Sequence, residues 1–250
     1  MFIRLAAAAP EELTGFAKLW DQFRDAFLVN GRWQLYMKGL LKTLELATGA
    51  VILGIIIGIV IALVKVSAQQ SRDGGKHNWL LIIAEKICDL YLTVIRGTPV
   101  MLQLMIIYGG IFVSMTDGTL AGIVGFGINS GAYVAEIIRA GIQSIGKGQT
   151  EAGRSLGLTS GMTMRLIVMP QAVRNILPAL FNEFITLLKE TSVAGYIAVN
   201  EVVKMANGIK AKVFNIMPLI ITAAIYLVLV IALTQVQKYM EGRLRASDRR

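Results

Sequence analysis

Three carboxylates stand where a carboxylate is costly. Glu183 and Glu190 lie in or at the edge of one apolar segment, and Glu136 lies in another. A charged side chain at the centre of a hydrocarbon layer costs about 2.5–3.5 kcal/mol even on lenient insertion scales, so each one needs a reason. Glu183 and Glu190 are seven residues apart. Seven residues are close to two helical turns, so both fall on one helix face. Carboxylates in such a place suit an ammonium or a guanidinium. Asn182, Thr191, Ser192 and Thr98 offer hydrogen bonds to a carboxylate or an amide, and Arg96 offers a guanidinium to a carboxylate. Each residue also has a plain structural use. Glu190 pairs with Lys189 or sits in water past its segment. Arg96 pairs with Asp89 or Glu85 and fixes a bend.

A second stretch with chemical potential reads "EAGRSLGLTSGMTMRLIVMPQ", residues 151–171, between two apolar segments. "EAGRSLGL" accommodates about two turns of helix lying across a membrane face. Gly157 either ends that helix or lets another backbone come close. An ordinary polar loop is the alternative.

The elements that must hold these residues follow from composition. The chain has 250 residues, 55% hydrophobic and 16% charged, with mean hydropathy +0.62. Soluble domains carry about 25% charged residues. The apolar residues come in blocks rather than in strand-like alternation, so the fold class is all-α, a polytopic helical membrane protein of about five spans. A β-barrel is excluded by the same pattern. The net charge of +9 belongs to loops that flank apolar segments, not to a basic patch with interleaved aromatics, so nucleic-acid binding is excluded. One cysteine, Cys88, permits no intramolecular disulfide, and one histidine, His77, lies in a polar loop without a ligand set. No metal site and no catalytic residue is expected.

Spans are expected at residues 40–64, 98–112, 120–138, 168–188 and 216–236. Gly54 and Gly58 form a GxxxG pair, for packing within the chain or for dimerisation. Residues 65–78 read as a polar loop. The charged segment that follows reads as an amphipathic approach helix, broken at Gly97 and Pro99 before the second span. "GFGINSG" has no preceding strand and the wrong spacing for a dinucleotide-binding turn. Pro170 and Pro178 predict irregular backbone in the fourth span. Residues 1–37 form an N-terminal extension with Leu13, Phe16, Trp20, Phe23 and Phe27 on one helical face, lying on the membrane surface or on neighbouring protein. The opening ten residues, though reminiscent of a leader, read as retained. Residues 38–240 form the membrane domain, and 241–250 a charged tail. Lys238, Arg243, Arg245, Arg249 and Arg250 favour a cytoplasmic C-terminus, and five spans then put the N-terminus outside. Lys204, Lys210 and Lys212 fall on the outer side against that rule.

The 151–171 stretch resembles the EAA loop of permease subunits of ATP-binding-cassette importers: Glu-Ala-Ala, three residues, Gly, nine residues, then Ile-x-Leu-Pro. Here Glu151, Ala152 and Gly153 are followed by Gly157, then Ile167, Met169 and Pro170, with the spacing intact. Gly153 replaces Ala and Met169 replaces Leu. Gly153 is expected to loosen the first helix by about 1 kcal/mol. "RGTPVMLQL", "GAYVAEIIRAGIQSIGKGQTEAG", "PQAVRNILPALFNEFI" and "LLKETS" are similar to the polar amino-acid branch of that family, over residues 42–238 in order.

The resemblance implies a type I importer transmembrane domain in a bacterial inner (plasma) membrane. It implies that Glu151, Ala152, Gly153, Arg154 and Gly157 contact a separate ATPase subunit dimer. It implies a second permease copy or a similar chain, and an extracytoplasmic amino-acid-binding protein. The chain has no GxxxxGK[ST], so it needs no cofactor of its own, and ATP and Mg belong to the partner. Glu183, Glu190, Thr191, Ser192, Asn182, Thr98, Arg96 and Glu136 are then the candidate substrate path, for a polar or basic amino acid. The alternative is a secondary transporter run by an ion gradient, which usually carries inverted repeats; none is detectable. A membrane enzyme or a scaffold has no supporting residue set.

Overall fold

The computed structural model describes residues 15–73, 75 and 78–247. His77, Leu13, the opening ten residues and the terminal Arg249 and Arg250 lie outside that description. The described residues form helices and turns without a strand.

The apolar segments become helices because nothing in lipid but the chain itself can satisfy backbone N–H and C=O groups. Three helices are long and apolar enough to cross a membrane alone: Trp33–Arg72, Thr119–Gln143 and Met217–Leu244. They belong to α2 (Trp33–Asp73), α5 (Thr119–Gln143) and α10 (Met217–Ser247). Helices α3 (Trp79–Gly97) and α4 (Val100–Gly110) form a pair bent by 107°. The break falls at Thr98 and Pro99, where the sequence predicts it. Helix α8 (Met169–Glu190) covers the remaining expected span. Its 22 residues include Arg174, Glu183, Lys189 and Glu190, which make it less apolar than the others.

Two expectations need correction. Residues 65–73 are not a loop, because α2 runs on to Asp73. Lys65 pairs with Asp89 at 2.5 Å and Arg72 with Glu85, so α3 holds the polar end of α2 in register. Pro178 does not interrupt α8. Irregular backbone is found only before Pro170, as a π-helical turn over Met164–Val168, and Pro170 sits in the first turn, where its missing N–H costs little. The N-terminal face divides. Phe16 and Trp20 of α1 (Phe16–Phe23) are exposed, whereas Phe23 and Phe27 pack on the cluster of Ala26, Tyr36, Ile209 and Ile221. The rings of Trp20, Phe23, Phe27 and Tyr36 follow one another at centroid spacings of 5.7, 5.5 and 5.7 Å.

The core is the contact of α2 with α5. A Cβ on Gly58 would stand 2.4 Å from Val134 Cγ1, and one on Gly54 would stand 2.9 Å from Ser130 Cβ. On the facing helix, Cβ atoms on Gly127 and Gly131 would meet Leu53 and Ile57 at 2.7 Å. Bare backbone thus receives a side chain from each side, and the GxxxG pair serves packing within the chain. "GFGINSG" lies inside α5 and does the reciprocal work.

Gly58→Ala should therefore destabilise the protein by about 1–3 kcal/mol, as overpacking does. Gly109→Ala, with nothing within 4 Å of the new methyl, should be neutral or slightly stabilising. Thermal unfolding of both variants in detergent checks this.

Candidate functional site

Three groups of candidate residues occupy different levels of the bundle. The first is a hook between α5 and α8. Helix α6 (Lys147–Ser155) leaves α5 after a short turn, and Gly157 follows its C-cap, Leu156. Gly157 has φ +82°, its N–H donates to Arg154 O at 3.0 Å, and the Leu158 N–H donates to Gly153 O at 3.2 Å. This pair of bonds is a Schellman cap, so the glycine ends the helix as the sequence allows. The short helix α7 (Ser160–Thr163) follows, and Thr159 caps it by accepting from the Met162 N–H at 3.3 Å. Glu151, Ala152, Arg154, Leu156 and Gly157 are exposed on this hook.

Gly153 is the exception, because it is buried. A Cβ there would stand 2.7 Å from Thr163 Cγ2 and 2.9 Å from Ile167 Cδ1. Its absence lets α6 close on the segment behind it. Gly153 faces inward as a spacer rather than outward with Glu151 and Arg154. The hook is further tied by Gln171 Nε2 donating to Gln149 Oε1 at 3.3 Å and Asn175 Nδ2 donating to Ser144 Oγ at 2.8 Å.

The second group is a belt of hydrogen bonds across α4, α5 and α8. Gln103 Nε2 donates to Thr98 Oγ1 at 2.7 Å, and Asn129 Nδ2 donates to Gln103 Oε1 at 3.1 Å. The next residue, Ser130, donates to Glu183 Oε1 at 2.8 Å. Ser130 is fully buried and Glu183 is half-buried. Because α8 is unbroken, Glu190 lies on the same face as Glu183, about 10 Å along the helix. Glu190 is half-buried beside an exposed Lys189, and among the described residues no ion pair joins them. Thr191 is buried and donates to Leu188 O at 2.7 Å, so its hydroxyl closes the helix end. Ser192 is half-buried in the following 3-10 turn, and Asn182 is exposed.

The third group holds Arg96 and Glu136. Asp89 and Glu85 are taken by Lys65 and Arg72, so neither fixes Arg96. The Arg96 guanidinium instead lies 5.6 Å from the centre of the Tyr133 ring, a cation–π distance. Glu136 pairs with Arg139, whose Nε donates to it at 3.0 Å. Arg96, Glu136 and Arg139, with Lys65 and Asp89, line a cavity of about 460 Å³ at the α6 end of the bundle.

Sequence reasoning missed Gln103, Asn129, Ser130 and Tyr133. The signal was present, since all four are polar or amphipathic residues inside apolar segments. It also missed Glu201, fully buried at the start of α9 (Val202–Val213). Its carboxylate accepts from the N–H groups of Val203 at 2.7 Å and Lys204 at 2.6 Å, capping the helix. Burial pushes the Glu201 carboxyl up from 4.5 to about 7, against the pull of those two bonds. No group of three or more metal-ligating residues is found among the described residues.

The sequence profile described as "Binding-protein-dependent transport system inner membrane component" matches residues 50–246. The chain is 41% identical to the arginine transport system permease protein ArtQ of Bacillus subtilis (strain 168), over 85% of this chain and 93% of that one. It is 36% identical to the putative glutamine transport system permease protein GlnP of Rickettsia bellii (strain RML369-C), over 84% and 93%. A crystal structure of an amino acid ABC transporter with histidines superimposes with TM-score 0.77 at 37% identity, covering 92% of this chain and 99% of that one.

The raised Glu201 carboxyl sets a pH dependence. Between 4.5 and about 7 the folded protein binds more protons than the unfolded chain. This group's contribution to stability is present below 4.5 and lost as pH rises through about 7. Thermal unfolding across that range should show the decline, and Glu201→Gln should flatten it.

Proposed function

The chain belongs to the family of binding-protein-dependent transport system inner membrane components, and from that membership we propose that it is the translocating subunit of an ATP-driven amino-acid importer. The observation that carries this reading is the hook. A nine-residue helix, closed by a left-handed glycine, presents Glu151, Arg154 and Leu156 outward from a backbone tied to α5 and α8. A protein that pushed on this helix would move both membrane helices together. The partner is a dimer of ATPase subunits that binds ATP and Mg in the cytoplasm. The hook then marks the cytoplasmic side, with the C-terminus on that side and the N-terminus outside. The permease works as a pair, with a second copy or a similar chain, and an extracytoplasmic binding protein supplies the substrate.

The names of the relatives support an amino-acid substrate: arginine for one, glutamine for another. Glu183, held by Ser130, and Glu190, two turns further along the same face, line the path and favour the substrate's ammonium or a basic side chain. Thr98 and Asn182 belong to the same path as hydrogen-bonding groups, with Thr191 and Ser192 shaping its outer end. Arg96 and Glu136 lie at the inner end, where the guanidinium over Tyr133 is open to a substrate carboxylate.

The test is uptake into proteoliposomes that hold this chain, its ATPase and a candidate binding protein, with a panel of labelled amino acids. Accumulation should require internal ATP, and an ion gradient alone should give none. Accumulation on a gradient without ATP would overturn the reading. Glu183→Gln and Glu190→Gln should each lower uptake about tenfold or more at unchanged basal ATP hydrolysis, as loss of a charged partner does. Gly157→Ala, strained by about 1–2 kcal/mol in the left-handed region, should uncouple ATP hydrolysis from uptake.

A further inference from the structure

An apolar cleft runs between α2, α5 and α8 in the half of the bundle next to the hook. Its volume is about 390 Å³, and every residue that lines it is aliphatic or a methionine. The floor is Ala62, Ile138 and Ile176, all buried. The rims are Ile59 and Leu63 on α2 and Val173 and Leu177 on α8, all exposed. Along α2 the lining runs from Ile55 to Val66, and along α8 from Met169 to Leu180. Each stretch is about 16 Å long. That is about half of a hydrocarbon core about 30 Å thick, the depth of one leaflet.

Where the cleft reaches the hook, its chemistry changes. Val66, Ile142 and Met164 line it and also line a second hollow, of about 360 Å³. Every other residue of that hollow is polar or charged, Gln69, Gln70, Lys147 and Glu151 among them. Arg139 lines it too, but is held by Glu136 and Gln143. Lys147 and Glu151 stand about one turn apart on α6, and neither makes an ion pair among the described residues. The hollow thus offers an unpaired cation and an unpaired anion side by side. A slot one leaflet deep that ends in such a hollow has the outline of a phospholipid. Spread over about 16 Å, the volume of the cleft admits one acyl chain and is too narrow for a helix about 10 Å across.

We infer that the cleft and the hollow together bind one phosphatidylethanolamine from the leaflet on the hook side. One acyl chain fills the cleft, the phosphate accepts from Lys147, and the ammonium donates to Glu151. A headgroup with a negative charge and no ammonium would set that charge against Glu151. Met164 opens the π-helical turn that joins the hook to α8, and Gln69 and Gln70 belong to α2, so the bound lipid bridges the hook and the far end of α2. The site stands on the membrane fold and does not need the importer reading given above.

The test uses the full chain, reconstituted in equal parts of phosphatidylethanolamine and phosphatidylglycerol, extracted into detergent and washed. Native mass spectrometry then counts the lipid retained. Phosphatidylethanolamine should remain in equal number with the chain and outnumber phosphatidylglycerol about tenfold. Leu63→Trp and Val173→Trp fill the cleft from opposite rims, so that one variant serves if the other fails to fold. Each should lower retention about tenfold, and so should Lys147→Gln, which removes the partner of the phosphate. Leu227→Trp, exposed on α10 and lining neither hollow, should retain lipid as the wild type does. Added phosphatidylethanolamine should raise the unfolding temperature of the wild type and of Leu227→Trp but not of the rim variants. Retention of both lipids alike, or rim variants that retain and respond as the wild type does, would overturn the site. A wild type that retains no lipid, but whose Val173→Cys form cross-links to a second copy, would also overturn it and assign the cleft to that copy.

Discussion

The close approach of α2 and α5 is the contact on which the rest of the molecule hangs. Within lipid, helices gain little by hiding apolar side chains from one another, because the tails are equally apolar. What holds them is fit. Gly54 and Gly58 on one helix and Gly127 and Gly131 on the other remove the side chains that would keep the two backbones apart. Leu53, Ile57 and Val134 fill the space that is opened. Helix α5 then carries Asn129, Ser130, Tyr133 and Glu136 at heights fixed by that contact, and its far end passes into the hook. The polar belt and the hook thus share one reference element.

Polar groups in the interior are handled by sequential pairing rather than by isolation. Thr98, Gln103 and Asn129 hydrogen-bond to one another in turn, and the Ser130 hydroxyl donates a hydrogen bond to Glu183. Such a belt replaces part of the hydration that each group loses on leaving water. It also leaves Glu183 with one carboxylate oxygen not engaged by Ser130. At the α6 end, the pairs Lys65–Asp89, Arg72–Glu85 and Glu136–Arg139 surround a cavity lined by Arg96, whose guanidinium has an aromatic face and, among the described residues, no carboxylate within ion-pair distance.

Much of this architecture was legible in the sequence because its causes are local. Apolar block length gives the helices, Gly97 and Pro99 give the bend, and Gly157 gives the end of α6. What was not legible depends on a partner far along the chain. Residues 65–73 look like a loop because their polarity is read alone, yet they continue α2, with Lys65 and Arg72 paired to Asp89 and Glu85 of α3. Gly153 looks like a weak point because a helix is read without its neighbours, yet Thr163 and Ile167 need the space. Pro178 looks like a break, but α8 runs through it. The partners of Arg96 and the burial of Glu201 follow only from the packing of helices distant in sequence.

The length of α2 has a further consequence. At 41 residues it is about 60 Å long, twice the thickness of a hydrocarbon core of about 30 Å. Its near end supports α9, its middle grips α5, and its far end holds two ion pairs with α3. Three interfaces are therefore locked to one angular phase. One inserted or deleted residue anywhere between Gly39 and Arg72 rotates everything beyond it by about 100°. Single substitutions along this rod are local events, but changes of length are not. The segment between Gly39 and Arg72 accordingly tolerates substitution far better than a change of length.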